Sequence, residues 1–215
     1  GYPGLMADYQ AAIETYRALS SELHRYPDGG AVALRHAIAA QVLGGDADPD
    51  RIVCGAGSDE LLQLLVRAYA GIGDEVLYSR HGFLVYKLAA QSVGAKPVAA
   101  PEKNLKTDVD ALLAHVTSRT RICFVADPNN PTGSYIGGAE LKRLREGLPE
   151  NVLVVIDSAY AEYVDRPDYS DGADLVREYD NVVMCRTFSK IHGMAALRLG
   201  WAYCPPAVAD VLNRI

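Results

Sequence analysis

The sequence predicts an α/β fold, a three-layer α/β/α arrangement around a mostly parallel sheet. Three observations lead there. Short runs rich in Val and Ile alternate with helical stretches along nearly the whole chain. Most of those runs are continuously apolar, which is how strands covered on both faces read. And 215 residues, 49% hydrophobic and 22% charged, can enclose one sizeable core.

The elements follow in order. Apolar residues recur at helical spacing from Leu5 to Leu19 and from Ala31 to Leu43. Between them "HRYPDGG", residues 24–30, carries the Pro and Gly of a chain break. Seven strands follow: "RIVCG" (51–55), "DEVLYS" (74–79), "KPVAA" (96–100), "RICFVA" (121–126), "NVLVVID" (151–157), "NVVMCR" (181–186) and "RLGWAYC" (198–204). Helical patterns at Asp59–Tyr69, Leu84–Ser92, Val109–Val116, Ala139–Glu146 and Leu175–Tyr179 separate most of them. A last helix begins near Ala207, and no partner for it is visible in the sequence. No repeat, low-complexity segment or long linker interrupts the series.

The formal net charge of −6 argues against a nucleic-acid binder held by phosphate contacts. No apolar run reaches the length of a membrane span, and "GYPGLMADYQ" has no signal-peptide pattern. The four cysteines are scattered and form no C-x-x-C pair, so they read as buried small hydrophobes in a reducing compartment. The five histidines lack zinc-ligand spacing.

In parallel sheets, ligands bind at the carboxyl ends of the strands. Those ends deliver "AGSDE", "RHGF", "DPNNPTG", "DSAY" and "RTFSK". The glycines before Ser58 and Asp59 lead into a helix whose N-terminus suits a phosphate; Ser58 also reads as an ordinary N-cap. The sequence meets neither the G-x-G-x-x-G nor the Walker pattern, which disfavours a dinucleotide binder. Asp157 ends a buried strand, where a carboxylate needs a cationic or hydrogen-bonding partner. It fits either a helix cap or a partner for a protonated ligand nitrogen. Asn130 belongs either to a simple turn or to an amide fixed by that turn to donate a hydrogen bond. Lys190 sits among Thr187, Ser189 and small residues, with Arg198 following. A lysine amine, a phosphate site, an aspartate and an amide together fit pyridoxal 5′-phosphate (PLP).

The stretches "HRYPDG", "GAGSDELL", "GDEVLY", "DPNNPTG", "VIDSAYAEY" and "RTFSKIHGMAALRLGWAYC" carry a resemblance. In this order, the chain resembles the fold type I, class II PLP-dependent aminotransferases, and within them the histidinol-phosphate aminotransferase group. The resemblance covers nearly the whole chain and implies the large PLP-binding domain of that fold. Position by position, it makes Lys190 the lysine that holds the cofactor covalently and shuttles the proton. It makes Asp157 the partner of the pyridine nitrogen. Asn130 and Tyr160 would bond the ring's phenolic oxygen, and Phe83 would stack on the ring. Ser58, Asp59, Thr187, Ser189 and Arg198 would cradle the phosphate. Tyr26 would reach the cofactor phosphate of a neighbouring subunit, which implies a homodimer with shared active sites.

The activity so implied is transfer of an amino group from L-histidinol phosphate to 2-oxoglutarate, in histidine biosynthesis and in the cytoplasm. An aromatic amino-acid aminotransferase, a PLP-dependent decarboxylase of an amino-acid phosphate and an inactive PLP-binding fragment are the alternatives. The chain departs from the family pattern at Asp127, Ser158 and Ala196, and "RHGF" lacks the usual proline. The resemblance further implies an N-terminal arm and a C-terminal small domain, with an arginine for the substrate carboxylate, outside this chain.

Overall fold

Consecutive residues of the strand Thr120–Ala126 face opposite ways: Ile122 and Phe124 enter one hydrophobic cluster, Cys123 and Val125 the other. A strand buried on both faces needs helices on both, and the computed structural model, which describes residues 3–215, has them. In chain order the elements are α1 (Pro3–Leu19), α2 (Val32–Gln41), β1 (Ile52–Gly55), α3 (Ser58–Tyr69), β2 (Glu75–Ser79), α4 (Leu84–Ser92), β3 (Lys96–Ala100), β4 (Glu102–Lys103), β5 (Lys106–Thr107), α5 (Val109–Ala114), β6 (Thr120–Ala126), α6 (Gly138–Gly147), β7 (Leu153–Asp157), α7 (Ala173–Glu178), β8 (Val182–Thr187), β9 (Gly200–Tyr203) and α8 (Pro206–Leu212).

The sheet runs β1-β9-β8-β7-β6-β2-β3. The pairs from β8 through β3 are parallel, while β9 lies antiparallel to both β8 and β1. This is the mostly parallel sheet the apolar runs predict, with one reversed strand that they do not reveal. Leu112, Leu141, Leu144 and Val176 cover one face from α5, α6 and α7, and Leu61, Leu65, Tyr86 and Ala90 cover the other from α3 and α4.

All seven expected strands are present with ends shifted by at most a few residues, and the helices follow the expected pattern. Two expectations need correction. The β4–β5 hairpin is absent from the sequence reading, because two-residue strands are too short to show a period. And α8 does have a partner: Val208, Ala209 and Leu212 are buried in the cluster that holds α3, and α8 packs against α3 and β1. Among the described residues no helix is long and apolar enough to cross a membrane, and no cluster of side chains could hold a metal ion. The four cysteines are free, Cys123, Cys185 and Cys204 buried and Cys54 partly so.

Candidate active site

Strands β2, β6, β7 and β8 are parallel, and β1 shares their direction because β9 is reversed against both it and β8. Their carboxyl ends therefore meet at one edge of the sheet, where a cavity of about 240 Å³ opens. Ser58, Asp59, Phe83, Asn130, Asp157, Tyr160, Thr187, Ser189, Lys190 and Arg198 line it, with Ala126, Pro128, Ala159 and Ala195 between them. Every expected site residue is thus in one place except Tyr26. That side chain is fully exposed, in the connection between α1 and α2, and does not line this cavity.

Asp157 closes β7 and is buried. The Tyr86 hydroxyl donates to its Oδ2 at 2.8 Å, while Oδ1 is buried with no hydrogen-bond partner among the described residues. Desolvation pushes the carboxyl up to about 6, although Tyr86, the N–H of Ala159 and the charge of Lys190 pull it back. The helix-cap alternative does not hold: the carboxylate lines the cavity, and the 3₁₀ turn that follows is capped at Tyr160. A cationic N–H placed at Oδ1 would relieve the desolvation cost.

Elsewhere in the lining, α3 starts without a side-chain cap; its N-cap is Gly57, with φ 87°, so Ser58 is the first helical residue and not the cap. The leading N–H groups of α3 and the positive end of its dipole point toward the cavity. Crowding explains the glycines. A Cβ on Gly57 would lie 2.5 Å from Arg198 Nη2, and one on Gly200 would overlap the backbone of Gly57 and Ser58. Arg198, itself left-handed at φ 49°, bonds Ser189 Oγ at 3.3 Å and Ala56 O at 3.2 Å. Guanidinium, hydroxyls and helix N-terminus together make an anion cradle. Asp59 belongs to it only through its backbone, since its carboxylate accepts a bond from Gln63 and would repel an anion.

Lys190 Nζ lies 5.2 Å from the centre of the Tyr160 ring. Asn130 follows Asn129, whose amide donates to His81 O and Thr132 Oγ1 and so builds the turn that presents Asn130. Phe83 also lines the cavity, edge-on to Tyr86 with ring centres 6.0 Å apart.

Two residues of consequence escaped the sequence reading. Tyr86 lies three residues after Phe83, one helical turn on, and only the tertiary structure brings its hydroxyl to Asp157. Asp127 departs from the family pattern, and the sequence gives it no role. It is buried; its Oδ1 accepts from the N–H of Ile136 at 2.8 Å, and Oδ2 has no partner among the described residues. Burial pushes it up to about 7.

Comparisons with known proteins give the family and the fold. The family model described as "Aminotransferase class I and II" matches residues 5–215. The histidinol-phosphate aminotransferase of Rhodospirillum centenum is 61% identical over 212 residues, 99% of this chain and 58% of that protein. That of Paramagnetospirillum magneticum is 59% identical over the same shares. The chain thus spans a little over half the length of these relatives. Among solved structures, the histidinol-phosphate aminotransferase of Sinorhizobium meliloti in complex with pyridoxal-5′-phosphate superposes with a TM-score of 0.87 at 28% identity, covering 99% of this chain and 55% of that one. The alanine aminotransferase of Pyrococcus furiosus does so with a TM-score of 0.81 at 27% identity, covering 94% and 55%. This chain therefore belongs to the class I and II aminotransferases.

Proposed function

We propose that this chain forms the large, cofactor-binding domain of a PLP-dependent aminotransferase that moves the amino group of L-histidinol phosphate to 2-oxoglutarate, giving imidazole acetol phosphate and L-glutamate. An N-terminal arm and a C-terminal small domain, with the arginine for the substrate carboxylate, would lie outside these residues. The observation that carries the reading is Oδ1 of Asp157, buried and unbonded in a cavity that also presents a lysine amine and an uncapped helix N-terminus.

The residues present fit the cofactor. The α3 N-terminus, Ser189, Thr187 and Arg198 suit its phosphate, Asp157 its pyridine nitrogen, Asn130 and Tyr160 its phenolic oxygen, Phe83 its ring face and Lys190 its aldehyde. When bound, the cofactor supplies an electron sink for the pair left behind when the substrate Cα–H bond breaks. The protein does the rest. The Asp157 carboxylate would hold the ring nitrogen in its protonated form by charge, in a site where burial strengthens that attraction. Lys190 Nζ would take the proton from substrate Cα and, as the protonated amine, hold it for return within the same site. Arg198 and the helix fix the phosphate, so that the reacting atoms keep one geometry.

The named substrate rests on the high identity to curated relatives, because the alanine aminotransferase shares the fold and takes a different donor by name. Tyr26, exposed on its loop, would reach the cofactor phosphate of a second copy, so the enzyme would be a homodimer with shared sites. Free cysteines suit a cytoplasmic setting.

The test is a single-turnover assay of the intact enzyme loaded with PLP. L-histidinol phosphate should be converted at least ~100-fold faster than phenylalanine or tyrosine, a discrimination that recognition of the donor's polar groups can supply. Faster turnover of the aromatic amino acids, or release of carbon dioxide from an amino-acid phosphate, would overturn the assignment.

A further inference from the structure

The geometry points to a closed ring of hydrogen bonds, keyed on the buried carboxylate of Glu102, that sets the spacing between the two walls of the cavity, with Glu102 and His81 as positioning residues. What fills the cavity rests on the reading above; the ring itself does not.

Glu102 belongs to the small β4–β5 hairpin, and only 3% of its side chain is exposed. Its Oε1 accepts from Ser79 Oγ at 2.8 Å and from the backbone N–H of His81 at 2.9 Å. Its Oε2 lies 2.7 Å from His81 Nδ1. One carboxylate therefore grips the β2–α4 loop at three points, two residues before Phe83. The loop is already tight there, since a Cβ on Gly82 would lie 2.8 Å from Ser79 O.

From His81 the ring crosses the cavity edge. His81 O accepts from Asn129 Nδ2 at 3.3 Å, and that nitrogen also donates to Thr132 Oγ1 at 2.9 Å. Both hydrogens of the amide are then used, which settles its orientation. Ser134 Oγ donates to Leu105 O at 3.0 Å, back in the hairpin. A hydroxyl has one hydrogen, so across the 2.8 Å contact between Thr132 and Ser134 it is Thr132 that donates. Every donor in the ring is assigned once. It joins three segments far apart in sequence, and Phe83 and Asn130 stand directly beside its nodes.

The hairpin turns on a two-residue loop whose central residues both take positive φ, the type I′ geometry that such hairpins favour. Asn104 and Leu105 both sit in the left-handed region, at φ 53° and 60°. That conformation is costly for leucine, and it persists where neighbours over-determine it. The carbonyl of Leu105 is the one that Ser134 grips. The two walls are thus mechanically coupled through a strap, and a shift in one should appear in the other. Bound-ring geometry tolerates little such slack.

Two measurements on the intact enzyme test this. The variant His81→Phe keeps the backbone groups of residue 81 and removes one bond to Glu102, at a half-exposed side chain. In cofactor-free protein it should speed hydrogen exchange at the amides of Asn129 and Gly133, in the loop after β6, by roughly three- to ten-fold, the effect of one lost hydrogen bond. The PLP dissociation constant, read by equilibrium dialysis, should rise by a similar factor. Ser134→Ala should speed exchange at the His81 amide. The double variant should do less than the product of the two single effects, because His81→Phe loosens and Ser134→Ala breaks the same closed path. Exchange confined to residues 79–83 in His81→Phe, or fully multiplicative effects, would overturn the ring. If His81→Phe fails to fold, an unchanged His81 amide in Ser134→Ala overturns it alone. Coupled exchange in a protein that does not bind PLP would leave the ring standing and remove the cofactor reading instead.

Discussion

Tyr86 donates a 2.8 Å hydrogen bond to Asp157 from 71 residues away in the chain, and so one oxygen of a buried carboxylate that lines the cavity is bonded while the other is left without a partner among the described residues. The tyrosine is rigid: its ring stacks on Phe124 at 4.5 Å and 4°, and it is almost wholly buried. A fixed donor on Oδ2 orients Oδ1. Its hydroxyl is also one of the groups that keep the Asp157 carboxyl from rising further.

Tyr86→Phe should preserve the stacking and remove only the donor. Asp157 then becomes harder to ionise, and PLP affinity should fall by roughly ten- to a hundred-fold, the value of a hydrogen bond to a charged group. Equilibrium dialysis across pH 5–8 would show the deficit largest at the acid end, where more of Asp157 is protonated. Equal affinity at every pH would mean that the tyrosine only fills space.

Lys190→Ala should abolish turnover and also covalent capture of the cofactor after borohydride reduction, while PLP still binds weakly through the cradle. Mass spectrometry of a reduced tryptic digest reads the modified peptide directly. A label on another lysine would displace Lys190 from its proposed role.

Gly200→Ala places a methyl group against the backbone of Gly57 and Ser58 at the start of α3. The helix N-terminus must move. Stability should fall by about 1–3 kcal/mol, the usual range for overpacking, and phosphate-dependent PLP affinity should fall with it. Comparing PLP with pyridoxal separates the two effects, since pyridoxal does not use the cradle. A loss equal for both ligands would place the damage elsewhere.

The buried acids give the cofactor-free protein a pH dependence of definite sign. Asp127 and Asp157 are raised to about 7 and about 6 by burial, above the value near 4 expected in the unfolded chain. Between those values the folded state binds more protons than the unfolded one, so stability from these groups is present in mild acid and lost as pH rises toward neutrality. For Asp127 the facing groups are the N–H groups of Ile136 and Gly137 and the charge of Lys106, all of which oppose the rise. Asp127→Asn should lessen the loss of stability between pH 5 and pH 8 by on the order of 2 kcal/mol. Urea unfolding at the two pH values measures it, and an unchanged difference would show that Asp127 does not titrate there.

Tyr26 is fully exposed in this chain. If it serves a neighbour's site, Tyr26→Phe should leave the sedimentation of a dimer unchanged and weaken PLP retention by a few-fold, the effect of one hydrogen bond. A monomeric enzyme with normal turnover would end the shared-site proposal.

What the sequence determined by itself was the alternation. Continuous Val- and Ile-rich runs between helical periods can only be strands covered on both sides, so β6, β7 and β8 and their flanking helices were legible, as were the polar strand ends that carry Asn130, Asp157, Thr187 and Lys190. Period and burial are local properties, written in adjacent residues. Pairing is not. The reversal of β9, the partner of α8 and the hairpin around Glu102 depend on contacts between residues far apart in the chain, and no local pattern records them. The same holds within the site. Asp157 announced a need for a partner, because a buried carboxylate cannot stand alone, but only the packing of α4 against the sheet decided that Tyr86 meets one oxygen and leaves the other bare.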